Sequence, residues 1–364
     1  MSDLFSAGLS QHFIAQLEGD ALMGAFDPSM SIRPARVSFV SRNRVRLLDL
    51  PADLPPALLP ARLCTPEDPV VVGDWVVVDL SGDPPLVSHR LDRKSVLRRR
   101  ASGSSRVGVQ PVAANVDLGL VCTAVGADFS VRRAERWMAV CHEAEVEPLL
   151  VLTKADPGLE AVWQPFLDQL AALPGADVLA VSALHGDGVD VLAARIADAH
   201  RTASLLGSSG VGKSTLLNAL VGTALLATQA VREGDDKGRH TTTHREMVRL
   251  PGGGLLIDNP GVREVGLVDG AGLDAVFADI DALTEHCRFR DCQHDGDIGC
   301  AVHDAIEAGE LDAGRWRSWL KLQREAAFEA RRHDRAAQAA EQRKWKRISQ
   351  MNRARYRFEG KGRK

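Results

Sequence analysis

Gly207-Ser208-Ser209-Gly210-Val211-Gly212-Lys213-Ser214 is the stretch that decides the fold of this 364-residue chain. It fits G-x-x-x-x-G-K-[ST] and stands between an apolar β-type run, 203–206, and a helical run, 213–226. The glycines let the backbone curl until successive N–H groups face one point at the positive end of the following helix. That is a cradle for phosphate. Lys213 is placed to reach the β- and γ-phosphates of a nucleotide, and the Ser214 hydroxyl to ligate Mg²⁺.

The same alternation extends to both sides. Strands are expected over 116–125, 148–152 and 178–181, with helices over 131–143, 162–173 and 189–199. A hairpin, 244–250 to 255–258, follows across Pro251-Gly252-Gly253-Gly254. Such alternation means a parallel-dominated α/β sheet whose ligands sit beyond the carboxyl ends of its strands. Thr153-Lys154-Ala155-Asp156 ends one of those strands. A carboxylate there accepts from both the ring N1–H and the exocyclic amine of guanine, a donor pair that adenine lacks. The Lys154 stem covers the base plane. Ser182-Ala183 ends the next strand, where a backbone N–H is placed to meet the guanine O6.

Asp258-Asn259-Pro260-Gly261 closes the hairpin. Asp258 is expected to hold Mg²⁺ through water, and the Gly261 N–H to meet the γ-phosphate. Gly238-Arg239-His240-Thr241-Thr242-Thr243 lies between, and one of its threonines is the candidate to close over the metal and the γ-phosphate. Ras-type enzymes carry a water-orienting Gln directly after D-x-x-G. Val262 stands there and cannot hydrogen-bond water, so slow intrinsic hydrolysis is expected, with His240 or His244 as the substitute. Ordinary GTPases run P-loop, switch threonine, D-x-x-G, NKxD, then SA. Here the last two come first, so the domain is circularly permuted. It ends on its D-x-x-G switch.

Two further units flank this domain. Short β-type runs over 37–40, 45–48, 70–72, 75–80 and 86–88 suggest a Greek-key barrel of the OB type. A basic linker with Arg90, Arg93, Lys94, Arg98, Arg99 and Arg100 follows, ending in Gly/Ser-rich 102–108. Downstream stands Cys287-x4-Cys292-x-His294-x5-Cys300. Three thiolates and one imidazole fill a tetrahedral Zn²⁺ shell and leave no open position, so the metal is structural. Gly296 and Gly299 permit the loop that returns Cys300. Cys64, Cys122 and Cys141 read as buried small hydrophobes. Trp316, Leu320, Gln323, Ala327 and Ala330 recur at helical spacing and suggest a helix packed on the finger.

The permuted order, with GSSGVGKST (207–215), TKAD (153–156), GRHTTT (238–243), DNPG (258–261) and the cysteine–histidine knuckle, resembles the RsgA (YjeQ/EngC) family of small-subunit-dependent GTPases. The resemblance covers roughly 35–330. It implies a multidomain α/β chain: an extension at 1–34, an OB-fold at 35–100, a circularly permuted P-loop GTPase domain at 101–263, a zinc-knuckle helical domain at 264–330 and a basic tail at 331–364. It further implies GTP contacts at Thr153–Asp156 and Gly207–Thr215, zinc at Cys287, Cys292, His294 and Cys300, and action late in assembly of the 30S ribosomal subunit with its 16S rRNA. Thr153 departs from the usual Asn and still offers the supporting hydrogen bond. A non-catalytic RNA-binding module with a vestigial nucleotide fold and a P-loop kinase or ATPase are the competing readings. Intact Lys213, Ser214 and Asp258 argue against the first, and Asp156 against the second.

Composition agrees with a globular chain: 45% hydrophobic and 26% charged. The longest apolar stretch, 216–231, is broken by Asn218, Thr223, Thr228 and Gln229, so no membrane span is expected. A cytoplasmic monomer follows as the expectation. The net charge of −3 hides an asymmetry: 331–364 carry 13 basic residues against 3 acids, leaving 32 against 45 for 1–330. A basic tail on an acidic body points to an anionic partner. If about five tail residues engage phosphates, truncation after Ala330 should flatten the slope of log K against log salt for small-subunit binding by about four. Parallel lines for intact and truncated chains would make the tail a bystander.

Overall fold

The computed structural model describes residues 7–17, 31–48, 50–51, 54–100, 109–222, 245–258, 267, 270–289, 292, 294 and 298–329. After a short helix, Gln11–Leu17, five strands close a barrel: β1 (Ile32–Ser41), β2 (Arg44–Leu48), β3 (Ala57–Leu58), β4 (Trp75–Asp79) and β5 (Leu86–Arg90). Pairing runs β1-β2-β3-β5-β4 and returns to β1, so the ring is complete. Alternation drives it: Val37, Val45, Val76, Val78 and Val87 point inward and are wholly buried. Trp75 and Val77 face the other way, onto Phe13 and Leu17 of the first helix.

A two-stranded ribbon, β6 (Val96–Arg100) and β7 (Val109–Ala114), leads into the α/β region. There β8 (Leu118–Ala124), β9 (Glu147–Thr153), β10 (Val178–Val181), β11 (Thr202–Leu206) and β13 (Leu255–Asp258) run parallel, with β12 (Glu246–Arg249) antiparallel at the edge. The order is β10-β9-β8-β11-β13-β12, which puts the P-loop strand in the middle. β12 pairs with β1 through Glu246 and Phe39, so barrel and α/β sheet form one continuous sheet of eleven strands. Helix Val131–Glu143 packs on one face and carries the C-terminal helices: Trp137 and Met138 share a core with Leu273, Phe277, Trp316 and Leu322.

The structure corrects several expectations. The run 70–72 forms no strand beyond an isolated bridge from Val72 to Ala113. The Asp74 carboxylate accepts from the Val71 N–H at 2.8 Å, and its own N–H bonds the Val71 carbonyl, which folds this run into a turn. β3 is hidden in sequence by the prolines around it. The stretch from Arg90 to Arg100, expected as a basic linker, is largely built into the fold. Arg93 is held against Asp74 at 2.6 Å and Asp68 at 2.5 Å, while Arg98 and Arg99 lie in β6. The helix expected to reach 226 closes at Val221, because Gly222 takes φ +74°. In the helix 313–329, Leu322 and Ala326 are buried, whereas Ala327 is exposed. Cys122 and Cys141 are buried as expected, but Cys64 is only half-buried.

Arg36 stands at the junction of these parts. It is 2% exposed and donates to the carbonyls of Gly73 (3.3 Å), Ala7 (2.7 Å) and Asn115 (2.6 Å). Arg36→Met leaves the Ala7 and Asn115 carbonyls without their donor, while Gly73 keeps the Asn115 amide, and should lower unfolding free energy by about 3 kcal/mol. Exposed Arg46→Met should stay within about 0.5 kcal/mol of the parent chain. Denaturant midpoints for both variants check this.

Candidate nucleotide site and metal centre

The residues singled out from sequence converge at the carboxyl edge of the parallel strands. Gly207, Gly210 and Gly212 all take positive φ (131°, 85° and 92°), which shapes the loop between β11 and helix Lys213–Val221. At Gly207 the demand is also steric, since a Cβ would lie 2.4 Å from the Cys122 carbonyl oxygen. Lys213 Nζ donates to the Gly207 and Ser208 carbonyls at 2.9 and 2.6 Å. Its ammonium therefore sits within the curl that the loop forms. Val211 is buried and anchors the loop, while Ser209, Ser214 and Thr215 are exposed at its mouth.

Thr153, at the end of β9, binds this loop to the adjacent segment. Its hydroxyl lies 2.6 Å from the Val211 carbonyl and 3.1 Å from that of Thr123, and the side chain is buried. Lys154, at φ +60°, extends to the Gly210 carbonyl at 3.3 Å. Ala155 is buried beneath it. Asp156 keeps one carboxylate oxygen on the Ser182 hydroxyl at 2.7 Å, and Ser182 is fully buried, with Ala183 beside it. Two residues missed by sequence reasoning complete this corner. His185 Nδ1 lies 3.0 Å from Ser182 Oγ and 3.5 Å from Asp156 Oδ1, and Trp163 Nε1 donates to the Asp156 backbone carbonyl. The only signal for either was proximity in sequence: three residues after Ser182, and one helical turn into the helix that follows Asp156.

Asp258 ends β13, partly buried. Burial raises its carboxyl above the ordinary value, against the pull of the Lys213 ammonium. The 207–214 loop, Asp156, Ser182 and Asp258 thus stand at the ends of four strands, β11, β9, β10 and β13. Gly261, Thr241, Thr242, Thr243, His240 and His244 lie outside the described residues, as does the basic tail.

A second cluster lies in the C-terminal region. Ligand atoms of Cys287, Cys292, His294 and Cys300 all fall within 4.8 Å of one another. His294 Nδ1 is 3.5 Å from Cys287 Sγ and 3.7 Å from Cys300 Sγ. A tetrahedral shell with metal–sulfur distances near 2.3 Å and metal–nitrogen near 2.0 Å has nitrogen–sulfur edges of roughly 3.6 Å, so the donor set fits a metal ion. Cys300 also caps helix Ala301–Glu307, its sulfur accepting from the His303 N–H at 3.4 Å. The His294 ring rests edge-on against Trp316, with centroids 5.3 Å apart. Among the described residues no helix is long and apolar enough to cross a membrane.

Known proteins share this arrangement. The model of the RsgA GTPase family matches residues 90–268. A "Small ribosomal subunit biogenesis GTPase RsgA" of Streptomyces coelicolor is 42% identical over 92% of this chain and 92% of its own length. A protein of the same name from Opitutus terrae is 40% identical over 94% of the chain and 97% of its own. Among solved structures, YjeQ from Thermotoga maritima superposes with a TM-score of 0.58 at 21% identity, covering 81% of this chain and 99% of that one. YloQ, a circularly permuted GTPase, gives 0.55 at 22% identity, covering 81% and 95%. A barrel, a permuted sheet with its phosphate loop and a cysteine–histidine cluster, at this identity over nearly the whole length, leave one assignment: the chain belongs to the RsgA GTPase family.

Proposed function

We propose that this GTP hydrolase acts in assembly of the small ribosomal subunit, binding the subunit through its 16S rRNA and hydrolysing GTP with subunit-stimulated turnover. The observation that carries the guanine reading is the placement of Asp156 after β9 and Lys213 after β11, on either side of β8, with Thr153 joining the two ends through the Val211 carbonyl. The names of the relatives from Streptomyces coelicolor and Opitutus terrae support the ribosomal part. A cytoplasmic monomer accords with that role.

In this reading Thr153, Lys154, Ala155 and Asp156 hold the base with Ser182 and Ala183. Asp156 accepts from guanine while the Ser182 hydroxyl donates to its Oδ1 and fixes the carboxylate's orientation. Gly207 to Thr215 wrap the phosphates, and Lys213 exchanges the Gly207 and Ser208 carbonyls for phosphate oxygens. Ser214 and Asp258 are the groups that would hold Mg²⁺, which neutralises phosphate charge when bound. Thr241, Thr242, Thr243 and Gly261 complete the γ-phosphate contacts, and His240 or His244 orients the attacking water. Cys287, Cys292, His294 and Cys300 are assigned to one structural Zn²⁺, since the three thiols and imidazole leave no open ligand position. Sedimentation with purified small subunits tests the partner: the chain should pellet with them in the presence of a non-hydrolysable GTP analogue and remain in the supernatant with GDP.

Two substitutions test the sites. Asp156→Asn removes a charge-assisted hydrogen-bond pair and should weaken GTP by about 3 kcal/mol, while gaining affinity for xanthine nucleotides. Unchanged GTP affinity means that Asp156 does not read the base. Cys292→Ser should lose the zinc that contributes folding free energy to such knuckles and unfold the region around 280–305. Metal content and small-subunit affinity should then fall together, with basal GTP hydrolysis retained. Loss of all basal hydrolysis in a soluble variant would tie the knuckle to the chemistry.

A further inference from the structure

Where the barrel, the β6–β7 ribbon and the start of β12 meet lies a cleft of about 340 Å³. Two guanidinium groups line it, Arg99 of β6 and Arg245 just before β12, and among the described residues no carboxylate does. The remaining wall is mostly apolar, from Val40 and Pro66 to Val112, with the Gln110 amide and Thr65 hydroxyl as further donors. Arg245 Nε is buried without a hydrogen-bond partner. Burial first, and then the positive field of Arg99, hold the Arg245 guanidinium below its ordinary value. Arg93, Arg136 and Arg315 differ in that each faces a carboxylate, and the buried Arg36 uses its donors on three carbonyls. Two cations facing each other over an unpaired donor are a site waiting for an anion.

The surroundings indicate which kind. The β1–β2 hairpin beside the cleft carries exposed Arg42, Arg44 and Arg46, and the chain has no acid from Val37 to Leu48. Arg46 lies over the Phe39 ring at 5.0 Å, and Phe39 pairs with Glu246, the neighbour of Arg245. A row of cations with an aromatic face among them fits a repeating polyanion whose bases stack, not one carboxylate. We propose that Arg99 and Arg245 form a phosphate site for an RNA backbone, which passes from this cleft onto the β1–β2 hairpin. This rests on the small-subunit reading above. Arg245 follows Thr243 by two residues, and Glu246 pairs with Asp258 at the nucleotide edge. A phosphate seated on Arg245 is thus held at the start of the strand that borders Asp258.

The test uses the full chain saturated with Mg²⁺ and GDP, so that the phosphate loop is filled. Binding of a labelled oligouridylate is followed by anisotropy across a salt series for the parent chain, Arg99→Gln, Arg245→Gln and the double variant. Each single variant should lose roughly tenfold in affinity and flatten the salt slope by about 0.7. The double variant should flatten it no further, because both groups share one phosphate. Arg201→Gln, at the opposite sheet edge and paired with Glu147, is the control and should leave the slope unchanged. Parent-like slopes in both single variants overturn the proposal, as does an equal loss in Arg201→Gln. Tighter binding of an oligoglutamate of equal charge also overturns it, in favour of an acidic protein segment. Should Arg245→Gln fail to fold, as judged by GDP binding, Arg99→Gln carries the test alone. The same variants with purified small subunits separate the two readings. Subunits that bind with unaltered slopes sink the cleft only. Subunits that do not bind, while the oligomer still depends on both arginines, sink the ribosomal reading only.

Discussion

The buried guanidinium of Arg36 is the constraint on which the assembly depends. A cation at 2% exposure survives only if its donors are used. Arg36 spends them on three carbonyls from three separate segments: Ala7 before the first helix, Gly73 before β4 and Asn115 at the entry to β8. Burial pulls its value down to about 10, with Asp117 and Asp74 acting in the opposite sense, and its guanidinium lies 5.7 Å from the Trp75 ring centre. Gly73 is the other half of the joint. It takes φ +94°, and a Cβ there would fall 2.0 Å from the Ala114 carbonyl oxygen. Asn115 reaches back to the Gly73 carbonyl at 2.9 Å. Barrel and nucleotide-binding sheet are therefore bolted together at the end remote from the nucleotide, and β1 pairs with β12 at the other.

The C-terminal region is fastened to the same body by charge as well as apolar contact. Arg315 holds the fully buried Glu135 at 2.6 Å, and Arg136 grips Glu325 through two bonds of 2.7 and 2.8 Å. Both partners on the nucleotide-binding side belong to helix Val131–Glu143, which packs against β8 and β9. Breaking either pair strands a charge in a low-dielectric setting, so the geometry is specified even where net stabilisation is small. The permuted order matters here. Asp258 ends the last strand of the sheet, and the helices that carry the cysteine–histidine cluster come next in the chain.

Much of this was legible in the sequence, for identifiable reasons. The strand–glycine loop–helix unit at 202–221 and the helix Val131–Glu143 follow from local rules; the second matches its expected bounds, while the first ends five residues short of the expected 226, at Val221. The cysteine–histidine spacing was legible because four ligands must converge over a short loop. Long-range partners were not. The lysines and arginines after Arg90 look like a solvated run until Asp68 and Asp74 are brought against Arg93 by barrel closure. Nothing local marks Arg36 as buried, since its alternation suits a strand and its three acceptors lie 29, 37 and 79 residues away. His185 and Trp163 were missed for the same reason: their value lies in what Ser182 and Asp156 offer them after folding. Thr153 is the reverse case. Its hydroxyl was expected to stand in for an amide, and it does bridge the loop through Val211.

In the proposed role Asp156 and the 207–214 loop form one GTP site whose turnover rises on the small ribosomal subunit. Hydrolysis of GTP and of ATP by the intact chain, each with and without purified small subunits, tests it most directly. The expected result is slow GTP hydrolysis alone, a rise of roughly tenfold or more with subunits, equal to about 1.4 kcal/mol off the barrier, and no response with ATP. Equal turnover of the two nucleotides, or GTP hydrolysis indifferent to the subunit, would contradict it.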